Sequence, residues 1–309
     1  MKVRDLLDRI KFACASPSDL AGKSVHPLFS NKNITQQLKF ALDRYANFTK
    51  AFEDYYSWCV SPTTPAVEAP KDILRTGGLR FLVWYINGYA YPLNAASVNT
   101  TFGNYPVSLQ GLPKWFLYWK DRINFFPQNS NGFQKTVLTE PLDFHGDVIK
   151  VESTNGFPQF HGRIQTDCEV IEYERKTETT FEGLKRGQND TKRCRHNAGA
   201  MLIEHNVVAY YYRLHWGIDV NEDDVIDDLT LNREMMVSDD HLEIIADYTT
   251  FRLLQKIDAQ RAAAYKVNFD EWLPQAKYEI SKGRSDITNM SEIRPAYTFE
   301  NSLAFWSEF

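Results

Sequence analysis

No stretch of about 18 uncharged apolar residues occurs in the chain, so no helix is expected to cross a bilayer. The richest apolar run, Phe81 to Ile86, is far too short. The opening MKVRDLLDRIKFACA interrupts its apolar residues with Arg4, Asp5, Asp8, Arg9 and Lys11. It lacks the unbroken apolar stretch of a secretory signal, which predicts synthesis and folding in a cytoplasm. Cysteine is scarce: Cys14, Cys59, Cys168 and Cys194 stand far apart, with no CxxC pair and no histidine at zinc-finger spacing. Neither a disulfide framework nor a zinc site is expected, and the four read as idle thiols. No GxSxG, GxGxxG or GxxxxGK[ST] motif occurs, which argues against the common hydrolases and nucleotide enzymes. No cofactor is indicated. A net charge of -5 argues against a surface that clamps DNA throughout, although local basic patches remain.

What is present is ample material for a core: 309 residues, 43% hydrophobic and 14% aromatic, enough for one large domain or two ordinary ones. Two amphipathic patterns open the chain. Val3, Leu6, Leu7 and Ile10 recur at helical spacing. Asn33 to Gln36 resembles a capping box, and Ile34, Leu38, Ala41, Tyr45, Phe48, Phe52 and Tyr55 then follow at steps of four and three. That predicts a helix of about 24 residues, roughly 36 Å long. From Phe81 to Pro141 short strand-like runs alternate with Gly, Asn and Pro, and WFLYW and RINFF are expected to meet at Lys120-Asp121. VIKVES (148–153), GRIQT (162–166), EVIEYE (169–174), ETTFEGL (178–184) and AMLIEHNVVAYYYRL (200–214) predict a small sandwich or barrel. Two helical patterns close the folded part. Ser238-Asp239 can cap the first, with Ile244, Tyr248, Phe251, Leu254 and Ile257 as its stripe; the second runs from Arg261 to about Lys282, with a kink or boundary at Pro274 and an end at Gly283.

Candidate sites are few. Asp143, His145 and Asp147 could turn to one face and hold a cation, but a strand edge leading into a Gly-Asp turn accounts for the same letters. His161, His196, His205 and His215 lack the HxxxH or HExxH spacing and read as hydrogen-bonded residues. The acidic run 221–228 lacks the ligand order of a calcium loop and reads as a solvated linker. Lys185, Arg186, Lys192, Arg193 and Arg195 form a basic cluster that could solvate a loop or contact an acidic partner or passing DNA. Tyr210, Tyr211 and Tyr212 could bind a glycan or fibre, or divide between core and surface. The final segment is rich in aromatics that water covers poorly. Tyr297, Phe299, Leu303, Phe305, Trp306 and Phe309 either fold back onto their own domain or dock into a partner.

The stretch Gly156-Phe-Pro158, Gly162, Glu169 to Tyr173, Lys176 to Leu184, Arg186-Gly187, Thr191 and His196 to Ala200 resembles a pattern of phage tail and neck proteins over some 45 residues. In its EVIEY run, Ile171 and Tyr173 alternate with Glu172 and Glu174. The rest of the chain is similar to the head-to-tail adaptor (connector) proteins of short-tailed bacteriophages. The similarity rests on the long helix ending near Trp58, the run Pro113 to Pro127, and the acidic-start helices from Ser238 to Glu279. The chain departs from that pattern by carrying the β-module before its C-terminal helices.

The resemblance implies a non-enzymatic virion protein of the neck, assembled in the host cytoplasm. It would be a homo-oligomeric ring, typically a dodecamer, beneath the portal protein, touching a tail nozzle or next ring and tail fibres, and passing genomic DNA through its channel. It implies a C-terminal arm that reaches the portal. The alternative is a tail-associated enzyme or a fibre- or glycan-binding module using the β-region. The expected fold is α+β: an antiparallel bundle of N- and C-terminal helices (1–75 and 229–283), a β-rich middle (76–228) with an inserted module (148–215), and an extended arm (284–309).

Overall fold

The computed structural model describes residues 1–15, 29–62, 64, 66–75, 77–96, 110–129, 132–214, 225–235 and 237–286. Among these lie five helices and seventeen strands in four sheets. The helices are α1 (Val3–Cys14), α2 (Asn31–Thr49), α3 (Asp228–Asn232), α4 (Asp239–Leu254) and α5 (Ala259–Asp286). The first strands are β1 (Glu53–Trp58), β2 (Ala66–Glu68), β3 (Leu79–Ile86), β4 (Tyr89–Ala95), β5 (Gln110–Gly111), β6 (Trp115–Trp119), β7 (Arg122–Phe126), β8 (Gln128–Asn129) and β9 (Lys135–Val137). There follow β10 (Val148–Lys150), β11 (Arg163–Thr166), β12 (Glu169–Glu172), β13 (Arg175–Lys176), β14 (Thr180–Glu182), β15 (Lys185–Gln188), β16 (Met201–Glu204) and β17 (Val207–Tyr212).

The chain divides into two compact units. The helical unit takes Met1–Glu53 and resumes at Tyr212; the strand-rich unit takes Asp54–Ile73 and Gly77–Tyr211. The strand-rich unit therefore begins well before residue 76.

In the helical unit, α1 buries Val3, Leu6, Leu7 and Ile10, the stripe its spacing predicts. Helix α2 starts at Asn31, capped by Ser30, whose Oγ accepts from the Asn33 amide at 3.3 Å, so the box centred on Asn33 is not the cap. It ends at Thr49, because Lys50 turns left-handed (φ 57°). The expected 24-residue helix is thus cut short: Phe52 lies beyond it, and Tyr55 belongs to β1, where aromatic residues favour extended backbone. Helix α5 runs through both Pro274 and Gly283.

The antiparallel bundle does not form. Helix α4 buries residues on more than one side, among them Leu242, Ile244, Ile245, Tyr248, Thr249 and Leu253, and packs against α1, α2 and α5. With apolar residues over most of its circumference and the stripe Asp240, Glu243 and Asp247 left toward solvent, it becomes a central rod on which α1, α2 and α5 pack.

The strand-rich unit overturns the idea of an inserted module. A curled seven-stranded sheet has the order β1-β17-β3-β4-β6-β7-β2, and a five-stranded sheet has the order β15-β12-β11-β16-β9. A third sheet is β10-β14-β13, and β5 pairs β8. The stretch 200–214 is therefore not one strand: β16 joins the five-stranded sheet and β17 leaves it for the seven-stranded one. The expected module is dispersed over three sheets. The β6–β7 hairpin forms where its sequence places it, with Lys120 and Asp121 both at positive φ, the geometry of a two-residue hairpin turn.

Leu82, Trp84, Phe116, Ile123, Phe125 and Val207 fill the core of the seven-stranded sheet. Ile149, Phe157, Ile164, Ile171, Tyr173 and Phe181 fill a second core under the smaller sheets. Gly162 is required there: a Cβ on it would lie 2.1 Å from the Tyr173 hydroxyl oxygen, which donates to the Pro158 carbonyl at 2.7 Å.

Candidate functional site

The five-stranded sheet carries ionisable groups where a strand pattern would place apolar ones. All four residues of β12, Glu-Val-Ile-Glu, are buried. Successive side chains of a strand point to opposite faces, so Glu169 and Glu172 enter different faces of the sheet.

On one face, Glu169 meets Arg186 of β15. The carboxylate is 0% exposed and the guanidinium 1%. Burying such a pair costs several kcal/mol per ion unless the remaining hydrogen-bonding capacity is filled. Here it is filled. Arg186 donates through Nε and Nη2 at 2.7 Å each, the Gly187 and Cys194 amides donate at 3.0 Å each, and His196 Nε2 stands 2.9 Å from Oε2. Burial alone would raise the Glu169 pKa, but the bonds from Arg186, His196 and the Cys194 amide prevail and hold it at about 2. The other His196 nitrogen, Nδ1, faces Asp167 Oδ2 at 3.0 Å. Each ring nitrogen thus points at a carboxylate oxygen, which can only accept.

On the other face, Glu172 accepts from Arg163 (3.1 and 3.2 Å), Lys185 (2.9 Å) and the Tyr55 hydroxyl (2.8 Å). Burial pushes its pKa up, and these partners bring it below the usual carboxylate value. The Arg163 guanidinium lies 3.9 Å over the Tyr55 ring. It also donates to Asn189 Oδ1 at 3.0 Å and to Ser57 Oγ at 3.3 Å. Ser57 Oγ stands 2.7 Å from His205 Nδ1, whose Nε2 faces Gln165 Oε1 at 3.0 Å. Burial, aided by Arg163, lowers the His205 pKa to about 4, so the ring is neutral and takes the Ser57 proton as acceptor. A serine–histidine pair suggests a nucleophile, but these residues are 1% and 4% exposed, and a hydroxyl so enclosed meets no substrate.

Glu169, Cys194 and His196 place one donor atom each within 4.8 Å of one another, the one such group among the described residues. They do not suit a metal ion. The Glu169 oxygens already receive five donors, and the His196 nitrogen that would ligate is turned on that carboxylate. No known family model matches this sequence, and no curated protein does.

The sequence candidates fare unequally. Asp143, His145 and Asp147 are all exposed, and among the described residues they form no metal-ligating group. The basic cluster divides. Arg186 is buried on Glu169 and offers nothing to a partner, and Lys185 is engaged by Glu172. Lys192, Arg193 and Arg195 stay exposed, with Arg193 over the Phe144 ring at 5.7 Å and Arg195 4.0 Å from Asp143. Tyr211 is buried and donates to Asp72 at 2.9 Å, while Tyr210 stacks on Phe81 and Tyr55, so this trio divides between core and surface. His215 and the arm residues Tyr297, Phe299, Leu303, Phe305, Trp306 and Phe309 lie outside the described residues. Of the acidic run, Asp227 caps α3 by accepting from the Thr230 amide at 3.2 Å.

Glu169, Glu172 and Arg163 were not among the sequence candidates, whereas His205, read there as a hydrogen-bonded residue, is one. Strand alternation set Glu172 and Glu174 opposite Ile171 and Tyr173, which gives no sign that Glu172 is buried. The signal that could have found them is the number of basic residues, Arg163, Lys185 and Arg186, on strands adjacent to an EVIE run.

Proposed function

We propose that this chain is a structural adaptor subunit of a bacteriophage neck, a ring component that joins the portal vertex to the tail and forms part of the DNA conduit. It acts there as a scaffold and catalyses nothing. The observation that carries this reading is the set of large apolar side chains exposed on the helical unit, among them Phe12, Leu229, Trp272 and Tyr278, Leu229 by 84%. Large apolar groups left in water favour packing against a neighbouring subunit. The resemblance supports it in the same direction. The buried carboxylates of the strand-rich unit, each saturated by arginine, histidine or lysine as described for Glu169 and Glu172, suit a stiff platform. Lys192, Arg193 and Arg195 provide the basic surface for an acidic partner or passing DNA.

Native mass spectrometry and negative-stain imaging of the protein with its portal test the reading. A closed ring, typically twelve-fold, is the expected result, and a monomer that leaves the portal bare overturns it. A chain lacking residues 287–309 should fold and fail to bind portal if the aromatic arm docks there.

A second reading rests on one feature. Glu152, Ser153, Thr154, Asn155, Gln159 and Lys176 are among the residues lining a polar groove of about 610 Å³. Hydroxyl, amide and charged groups converging on a groove suit a hydroxyl-rich ligand such as a fibre glycan. Saturable glycan binding lost on Lys176→Ala would favour it.

A further inference from the structure

Two thiols expected to be idle lie against each other beside the basic segment. Cys168 sits exposed in the two-residue turn that joins β11 to β12, between the paired residues Thr166 and Glu169. Cys194 is half-buried in the segment that follows β15. Their sulfurs are 3.8 Å apart. Both backbones are held by the same ion pair: Glu169 follows Cys168 directly and accepts from the Cys194 amide at 3.0 Å, while Arg186 donates to the Cys194 carbonyl at 2.6 Å.

We propose that Cys168 and Cys194 form a site of reversible intramolecular disulfide formation with a low-molecular-weight disulfide as oxidant, which ties the basic segment Lys192–Arg195 to the β11–β12 turn. A disulfide sulfur pair lies about 2.0 Å apart, so closure requires an approach of about 1.8 Å. The inference stands on this geometry and does not depend on the adaptor reading.

The chemistry balances without any bound group. The Cys168 thiolate attacks the oxidant's S–S bond, forming a mixed disulfide and releasing one small thiolate. The Cys194 thiol gives its proton to that thiolate or to water, and its sulfur attacks Cys168. The second small thiol then leaves. Two protein thiols are oxidised to one disulfide, and the oxidant is reduced to two thiols. The order follows from access, since only Cys168 is exposed. In the reduced protein burial first, then Cys168 and Glu169, push the Cys194 pKa up to about 11, so Cys194 is held as a thiol, and because closure needs its thiolate the closing step accelerates as pH rises.

The test is incubation of the full chain with glutathione disulfide, alkylation of the remaining thiols, and mass spectrometry. Wild type is expected to lose about 2 Da, to yield one peptide pair linking Cys168 to Cys194, and to revert with dithiothreitol. Cys194→Ser is expected to stop at the glutathione adduct on Cys168, and Cys168→Ser to show neither adduct nor link at these two positions at pH 7. A wild-type adduct on Cys168 that never resolves overturns the proposal. So does a link between two chains, or an unmodified Cys168.

Discussion

The two units bury different things. The helical unit buries Thr35, Thr49, Thr230, His241, Thr249 and Thr250, but no Asp, Glu, Lys or Arg among its described residues. The strand-rich unit buries Arg163, Glu169, Glu172, Arg186 and Glu204. A helix satisfies its own backbone and needs only an apolar stripe, so hydrophobic area suffices to assemble the first unit. Short strands divided among several sheets need something to choose partners and register, and directional ion pairs between β12, β11 and β15 do that here. Buried charge is weak evidence for stability but can serve specificity.

The sharpest way to break this contrast is Arg186→Ala. It leaves Glu169 buried without its principal partner and should destabilise the strand-rich unit by about 3 to 5 kcal/mol. A loss below about 1 kcal/mol in denaturant unfolding would remove the ion pair from the account. The counterpart in the helical unit is Leu242→Ala, on a side chain that is 0% exposed at the centre of the core. It should cost about 3 kcal/mol, with no dependence on pH between 4 and 8.

Titration separates the two units further. Burial raises the Glu204 pKa to about 7, only partly offset by a hydrogen bond from the Gln134 amide and the charge of Lys176. The unfolded carboxyl ionises near 4.5, so between there and about pH 7 the native state holds the extra proton. Stability from this group is full below the unfolded pKa and is lost as pH rises through the folded one. Glu204→Gln should therefore stabilise the strand-rich unit more at pH 8 than at pH 4.5, by on the order of 2 kcal/mol, read from paired thermal melts. Glu169 acts with the opposite sign: its contribution is present above about pH 4.5 and is lost as pH falls toward 2. The smallest effect is expected at the surface. Replacing Lys192, Arg193 and Arg195 with Ala should change stability by less than about 0.5 kcal/mol and weaken any salt-sensitive partner binding.

Much of the helical unit was legible because burial there follows one period. Val3, Leu6, Leu7 and Ile10 of α1, and Ile34, Leu38, Ala41 and Tyr45 of α2, lie where spacing alone predicts. The misreadings are local contests that tertiary structure decided. Phe52 and Tyr55 continue the helical spacing past Thr49, yet the aromatic run from Tyr55 to Trp58 fits the sheet edge. Asp239 to Leu254 was legible as apolar on more than one side but not as the rod at the centre. In the strand-rich unit, β3 and the β6–β7 hairpin could be read from composition and turn residues. The partners of β16 and β17 could not, because choosing a sheet is a long-range event that leaves no mark on the strand itself. The ion-pair clusters were hidden for the same reason: Glu172 and Tyr55 are 117 residues apart. The thiol pair joins positions that no CxxC spacing would flag.

Asn206 stands where the chain crosses from the five-stranded to the seven-stranded sheet. It is fully buried, accepts from the Val60 amide at 2.7 Å and donates to the Val60 carbonyl at 2.9 Å, and its own carbonyl accepts from the Tyr85 amide at 2.7 Å. Val60 precedes Asn206 by 146 residues. At synthesis rates of 5 to 20 residues per second, roughly 7 to 30 s separate their emergence. From the emergence of β4 to the end of that interval, β3 has β4 on one side and an open edge on the other, because β17 does not yet exist. The nascent chain is thus most prone to aggregation just before it completes its sheet, and a chain ending before residue 207 would keep that edge open permanently.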